Sequence, residues 1–250
     1  MSRKPKPARS TAKRPAPPPR TRPPRGRAYR RAQQDRGAET RARLIQAGLD
    51  VFGHQGFEAA STRAIAKAAN VNLAAILYHF GSKEALYRAV AEHIVAGIGA
   101  RVGVALAAAQ SEMRELNPET ARVLILRLVE AFVDAALGNP EAERWARFIV
   151  REQLDPTPAF EIIYRFMGPA HLTLTRLVAA ALGGDPASPE MKLRAFTILG
   201  QGLVFRIAPT LVARQLGVSG IGSDERETIR KILAAHVTAI LTAGAFNANA

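Results

Sequence analysis

The chain has 250 residues, 48% of them apolar, and its 35 Lys and Arg against 21 Asp and Glu give a formal net charge of +14. Zero cysteines exclude a disulfide scaffold, a thiolate nucleophile and any Cys-ligated zinc or iron–sulfur site. The charge is concentrated at one end: residues 1–38 hold 13 basic groups and one acid, residues 39–88 hold six and four, and residues 89–250 hold 16 of each. A neutral body with a basic front end points to a polyanion met at one end of the molecule, nucleic acid first and an anionic membrane surface second.

Residues 1–36 carry eight of the 16 prolines, interleaved with Arg and Lys. With almost nothing apolar to bury, this stretch is expected to stay extended or disordered. It is either an electrostatic arm on DNA phosphates or a dispensable extension left by a misassigned start. Prolines rather than an apolar segment follow the first basic residues, so no secretory signal is expected. Arg101 interrupts the apolar stretch 97–109, and no uninterrupted run approaches the roughly 18–20 residues of a membrane span. A soluble, cytoplasmic protein without a membrane partner is expected.

No proline occurs between Pro24 and Pro118, and the apolar spacing there is helical. In 39–55 the set Ile45, Gly48, Leu49 and Phe52 lines one face of a helix closed by Gly53 and Gly56. Ser61 and Thr62 offer N-cap hydroxyls to a short helix over 63–69. The break Asn70-Val71-Asn72 leads to a second short helix over 73–80, ended by Gly81, and Ser82 starts a longer one. Two short helices joined by a tight turn after a longer helix are the outline of a helix-turn-helix. Further helices are predicted over 120–137, 141–154, 157–182, 190–216 and 224–242, punctuated by Gly and Pro. No segment alternates at period two. The predicted fold class is therefore all-α with about nine helices, divided into a tail (1–36), a three-helix DNA-binding domain (37–88) and a helical effector-binding and dimerisation domain (89–245).

The stretch 40–88, with Ser61-Thr62-Arg63-Ala64-Ile65-Ala66 leading to Ile76-Leu77-Tyr78-His79-Phe80-Gly81-Ser82-Lys83-Glu84-Ala85-Leu86, closely resembles the N-terminal domain of the TetR family of bacterial transcriptional regulators. Arg151-Glu152-Gln153-Leu154, Pro156-Thr157, and His171 followed by Leu172-Thr173-Leu174-Thr175-Arg176-Leu177 resemble its CecR-type subgroup. The resemblance implies a homodimer that binds a double-stranded operator with inverted half-sites and is released by a small molecule. It also implies that Thr62, Tyr78, His79 and Lys83 hold phosphates and that Arg63 reaches a base edge.

The residues support these roles in part. Thr62 and Ser82 stand at helix N-termini, where they are phosphate anchors, simple caps, or both. Arg63 either makes a bidentate guanine contact or touches only backbone. Asn72 and Leu73 enter the second short helix, and with Ala74, Ala75 and Leu77 on its reading face, apolar contact with thymine methyls and DNA shape are expected to outweigh hydrogen-bonded readout. Leu77 departs from the family, where tyrosine is common. Tyr78 and His79 are alternatively packing residues.

In the C-terminal half, Trp145, Phe148, Glu152, Phe166, His171, Phe205 and Arg206 are the expected lining of an apolar effector pocket with polar anchors, or else ordinary core. Ala195, Gly200 and Gly202 with Ile229, Leu233, His236, Val237 and Ile240 are the expected dimer face, or else a buried helical hairpin. No phosphate-binding loop, nucleophile elbow or His–carboxylate cluster is present, so neither enzyme, metal nor cofactor is expected. The alternatives are an architectural protein driven onto DNA by its tail without sequence preference, and a helical enzyme with an unrecognised site.

Overall fold

The computed structural model describes residues 27–114, 116–138 and 141–243. Most of the expected tail (1–26) and the last two residues of the expected C-terminal domain (244–245) lie outside them. The chain divides into two contact units between Ala38 and Glu39. In the first, residues 27–38 are helical, and for 27–36 of these an extended or disordered chain was expected. The physical reason is local: prolines stop at Pro24, and the Ala, Arg and Gln that follow are strong helix formers. All contacts described below lie within the second unit.

The described residues contain helices and no strand. In chain order the helices are α1 (Arg27–Ala59), α2 (Thr62–Ala68), α3 (Ala74–Phe80), α4 (Lys83–Ser111), α5 (Pro118–Leu137), α6 (Ala142–Leu154), α7 (Phe160–Leu182), α8 (Pro189–Ile207), α9 (Pro209–Leu216) and α10 (Ser223–Thr242), with a 3₁₀ turn at Glu112–Arg114. Among the described residues ten helices stand where about nine were expected, because the single helix predicted over 190–216 breaks at Ala208–Pro209. Proline has no N–H to donate and its ring excludes the carbonyl four residues back, so the chain bends by 75° and α9 starts afresh. Two boundaries also move. α1 runs through Gly53 and kinks only at Gly56, whose φ of +79° and ψ of 177° suit glycine. α7 starts at Phe160 rather than Thr157, because the Thr157 hydroxyl turns back to the carboxylate of Glu152.

Side-chain caps start four helices: Ser61 for α2, Ser82 for α4, Asn117 for α5 and Ser188 for α8, the last two followed by proline at the first helical position. Two hydrophobic cores result. One joins α1–α3 and the first half of α4 to Trp145, Phe148, Ala159 and Ile163. The other gathers Ala109 of α4 with α5, the second half of α7, α8 and α10. Between them, residues 99–108 of α4 include none that is fully buried, and a Cβ placed on Gly103 would meet nothing within 4 Å.

Among the described residues one helical stretch, Lys83–Arg114, is long and apolar enough by length and composition to cross a membrane, although Arg101 interrupts its apolar run. Arg101 alone does not offset the Ala, Val, Ile and Leu around it. Leu86, Tyr87, Val90, Ile94 and Ala109 of the same helix are nonetheless buried against other helices, as in the central helix of a packed domain.

Candidate nucleic-acid interface and the domain behind it

The turn between α2 and α3 is built from two asparagines. Asn70 adopts a left-handed φ of +52°, and Asn72 Oδ1 accepts the N–H of Ala74 at 2.9 Å, both of which asparagine tolerates better than most residues. Ile65, Ala66, Ala69 and Ile76 turn inward onto Leu44, Leu49 and Phe52. The inner face of α3 is thus fixed by Ile76, 1% exposed, whereas Leu77 and Tyr78 are 65% and 84% exposed. Leu73 and Leu77, and Ala74 and Tyr78, are each four residues apart and share faces of the helix. All four are exposed, as are Arg63 and Asn72, and Ala75 is half-buried. The His79 ring is half-buried between the edge of Tyr78 at 4.9 Å and Phe80 at 6.4 Å.

Of the two expected N-terminal hydroxyls of α2, Ser61 is the cap, accepting the Ala64 N–H at 3.1 Å, and Thr62 is the first helical residue. Ser82 caps α4 through the Ala85 N–H. Lys83 is engaged within the chain: Nζ donates to the carbonyls of Phe57 (2.8 Å), Ala60 (3.2 Å) and Glu58 (3.3 Å) and lies 4.4 Å from the centre of the Phe57 ring. Its three protons therefore meet three carbonyls at the end of α1, where the helix dipole favours a cation.

Behind this unit, α6 grips α1 through Arg144 and Arg147, which sequence reasoning did not single out, and through Arg151, noted there within the CecR-type stretch. Arg144 donates from Nε and Nη2 to the two carboxylate oxygens of Asp50 (2.5 and 2.8 Å), and from Nη1 and Nη2 to the side chain and backbone of Gln46 (2.7 and 2.8 Å). Arg147 reaches the His54 ring, and Arg151 Nη2 donates to the His54 carbonyl at 3.0 Å. The signal was present as arginines at i, i+3 and i+7 on α6 and polar side chains at i, i+4 and i+8 on α1. Nothing in the sequence paired the two rows.

Of the expected effector-pocket residues, Trp145, Phe148 and Glu152 are buried and Phe166, His171, Phe205 and Arg206 are half-buried. They do not form one cluster. Trp145 lies against Gly97, and Phe166 against Gly99. The Trp145 Nε1–H is buried without a hydrogen-bond partner. Glu152 accepts from the Tyr87 hydroxyl and from the Thr157 N–H and hydroxyl, tying α6 to α4 and to the turn before α7. The His171 ring packs against Phe196, centroid to centroid 3.9 Å and tilted by 34°, and its burial lowers its pKa.

The expected dimer face divides in two. Ala195, Gly202, Ile229, Leu233 and Val237 are buried within the chain's own second core, where Gly202 lets the Phe132 ring approach; they are packing residues of the single chain rather than surface. Gly200 and His236 are exposed, and Ile240 is half-buried. The apolar surface of α8 is instead Leu193, Phe196, Leu203, Val204 and Ile207, all exposed. Spacings of three, four and seven residues carry the inner and outer rows of α8 on opposite sides of one helix, so composition alone did not separate them.

Residues 44–90 match the family model for bacterial regulatory proteins of the TetR family, and residues 121–244 match the C-terminal domain of the HTH-type transcriptional dual regulator CecR. CecR of Shigella flexneri is 34% identical over 209 residues, covering 82% of this chain and 93% of that protein. The HTH-type transcriptional repressor NicS of Pseudomonas putida is 37% identical over 89 residues, 34% of this chain and 41% of NicS. A TetR-family regulatory protein of known structure from Rhodococcus RHA1 superposes with a TM-score of 0.58 at 24% identity, over 83% of this chain and 98% of that one, which is a likeness of fold. With its helix-turn-helix at one end and a CecR-type helical domain behind it, the chain belongs to the TetR family of bacterial transcriptional regulators.

Proposed function

We propose that this regulator is a one-component repressor: a homodimer that holds an inverted-repeat operator through α2 and α3 and leaves it when a small apolar or amphipathic molecule enters the C-terminal domain. The observation that carries the reading is α3 itself. A seven-residue helix is marginal alone, yet this one is pinned by Ile76 and turns Leu73, Ala74, Leu77 and Tyr78 outward. Leu73, Ala74 and Leu77 contact thymine methyls and Arg63 a base edge; Thr62, Ser82, Tyr78 and His79 hold phosphates that set the register. Lys83 belongs to a different class, positioning α4 against the end of α1.

The stretch 99–108 of α4, which lies between the two cores and includes no fully buried residue, supports an effector chamber. The apolar outer row of α8, with Gly200 at its centre and His236 and Ile240 on α10, supports a two-fold interface of four helices. An effector shifts the equilibrium only by its differential affinity for the bound and released forms, and the arginines of α6 are a direct polar connection from that domain to α1. A regulator of this kind works by occupancy, without turnover, cofactor or metal, in the cytoplasm.

Genome-wide footprinting of the full chain tests the reading. Discrete promoter sites containing an inverted repeat are the expected result. Uniform coverage without sequence preference would favour an architectural role driven by the basic N-terminus.

A further inference from the structure

The buried face of α8 runs through Met191, Ala195, Ile198 and Gly202, and the next position on that face, four residues on, is Arg206. A cation thus stands where periodicity calls for an apolar side chain. Its side chain is 12% exposed, and Nε and Nη2 are buried without a hydrogen-bond partner. The nearest carboxylate, Glu143, lies 3.8 Å from Nη2, beyond hydrogen-bonding distance, and is 59% exposed; its other oxygen already accepts from Arg147 Nη2 at 2.7 Å. Burial depresses the Arg206 pKa, Glu143 raises it and the Arg147 charge lowers it again. Two guanidiniums therefore share one solvent-screened carboxylate. The dipole at the end of α8 favours a cation but supplies no acceptor to the two open N–H groups.

Unsatisfied buried donors destabilise a fold and are rare without a function. The helix that follows, α9, leaves α8 at 75° and buries only Ala213. Resting on the reading of this domain as the effector-receiving one, we propose that Arg206 receives the oxyanion headgroup of an amphipathic organic acid. The planar guanidinium suits a carboxylate or a phosphate ester through paired N–H donors. Occupancy would also leave Glu143 to Arg147, the residue that reaches His54 on α1.

Thermal unfolding of the full-length chain tests this, with octanoate, 1-octanol and inorganic phosphate as probes at constant ionic strength. Octanoate at ten times its Kd is expected to raise the midpoint of the wild type by about 3 °C, octanol to have less effect, and Arg206→Met to abolish the octanoate response. A phosphate response lost in the same variant would indicate that the headgroup alone suffices. Glu143→Gln, a change at an exposed residue, is expected to strengthen octanoate binding by removing the competing carboxylate. An equal octanoate response in wild type and Arg206→Met, weaker binding in Glu143→Gln, or no response of the wild type to either anion would overturn the proposal. Operator binding by the wild-type chain separates the two levels: sequence-preferring binding with any of those outcomes removes the anion site alone, whereas absence of sequence preference removes the regulator reading itself.

Discussion

The Tyr87 hydroxyl donates to Glu152 Oε1 at 2.5 Å in the interior, joining the first turns of α4 to the end of α6. Burial first, and then the neighbouring carboxylate, push the phenol pKa above its ordinary 10.0. Because the folded value lies above the unfolded one, the contribution is complete below pH 10 and is lost as pH rises beyond it. Tyr87→Phe is expected to cost about 1–3 kcal/mol at neutral pH, since Glu152 keeps only its Thr157 donors. It should also show a shallower loss of stability above pH 10 than the wild type. Urea unfolding at pH 7, 10 and 11 measures both.

Gly56→Ala is expected to destabilise the chain by about 1–3 kcal/mol, because a side chain strains the backbone at that φ and ψ. The new Cβ would also stand 2.9 Å from Nη1 of Arg151, whose Nη2 donates to the His54 carbonyl. Chemical denaturation would show the midpoint falling with an unchanged slope.

Arg144 and Asp50 form a paired, partly exposed ion contact, 26% and 50% exposed respectively. A double-mutant cycle of Arg144→Ala and Asp50→Ala is expected to give a coupling of about 1 kcal/mol. A coupling indistinguishable from zero would remove this pair from the connection between α6 and α1.

Lys83→Ala is expected to lower stability while leaving the dependence of log K on log salt nearly unchanged, since Nζ is occupied by three carbonyls. A slope shallower by about 1 unit would instead assign Lys83 a phosphate. Removal of residues 1–36, which hold 13 basic groups, is the contrasting case. It should flatten that slope by several units and weaken nonspecific binding, with the preference for operator retained.

The helical class, the turn at Asn70–Asn72 and the outward face of α3 were legible because each depends on local signals: capping hydroxyls, glycine and asparagine conformations, and a 3.6-residue period. Pro209 was an equally local signal, but the helix predicted over 190–216 ran through it and the break was missed. What sequence could not supply was the neighbour across space. Periodicity identifies Ile229, Leu233 and Val237 as one row of α10, but not whether that row meets its own chain or a second one, and here it meets its own. Lys83 carries the charge of a phosphate ligand, and only the fold brings three carbonyls to it.

The most direct measurement is competition binding at fixed salt, comparing a selected operator with a scrambled duplex, for the wild type, Tyr78→Ala and Leu77→Ala. If α3 reads and registers the operator, the wild type prefers the operator strongly, and Leu77→Ala lowers that preference about tenfold, at the positions of the contacted thymines. Tyr78→Ala weakens both duplexes. An operator preference identical in wild type and Leu77→Ala, or absent from the wild type, would contradict the assignment of recognition to α3.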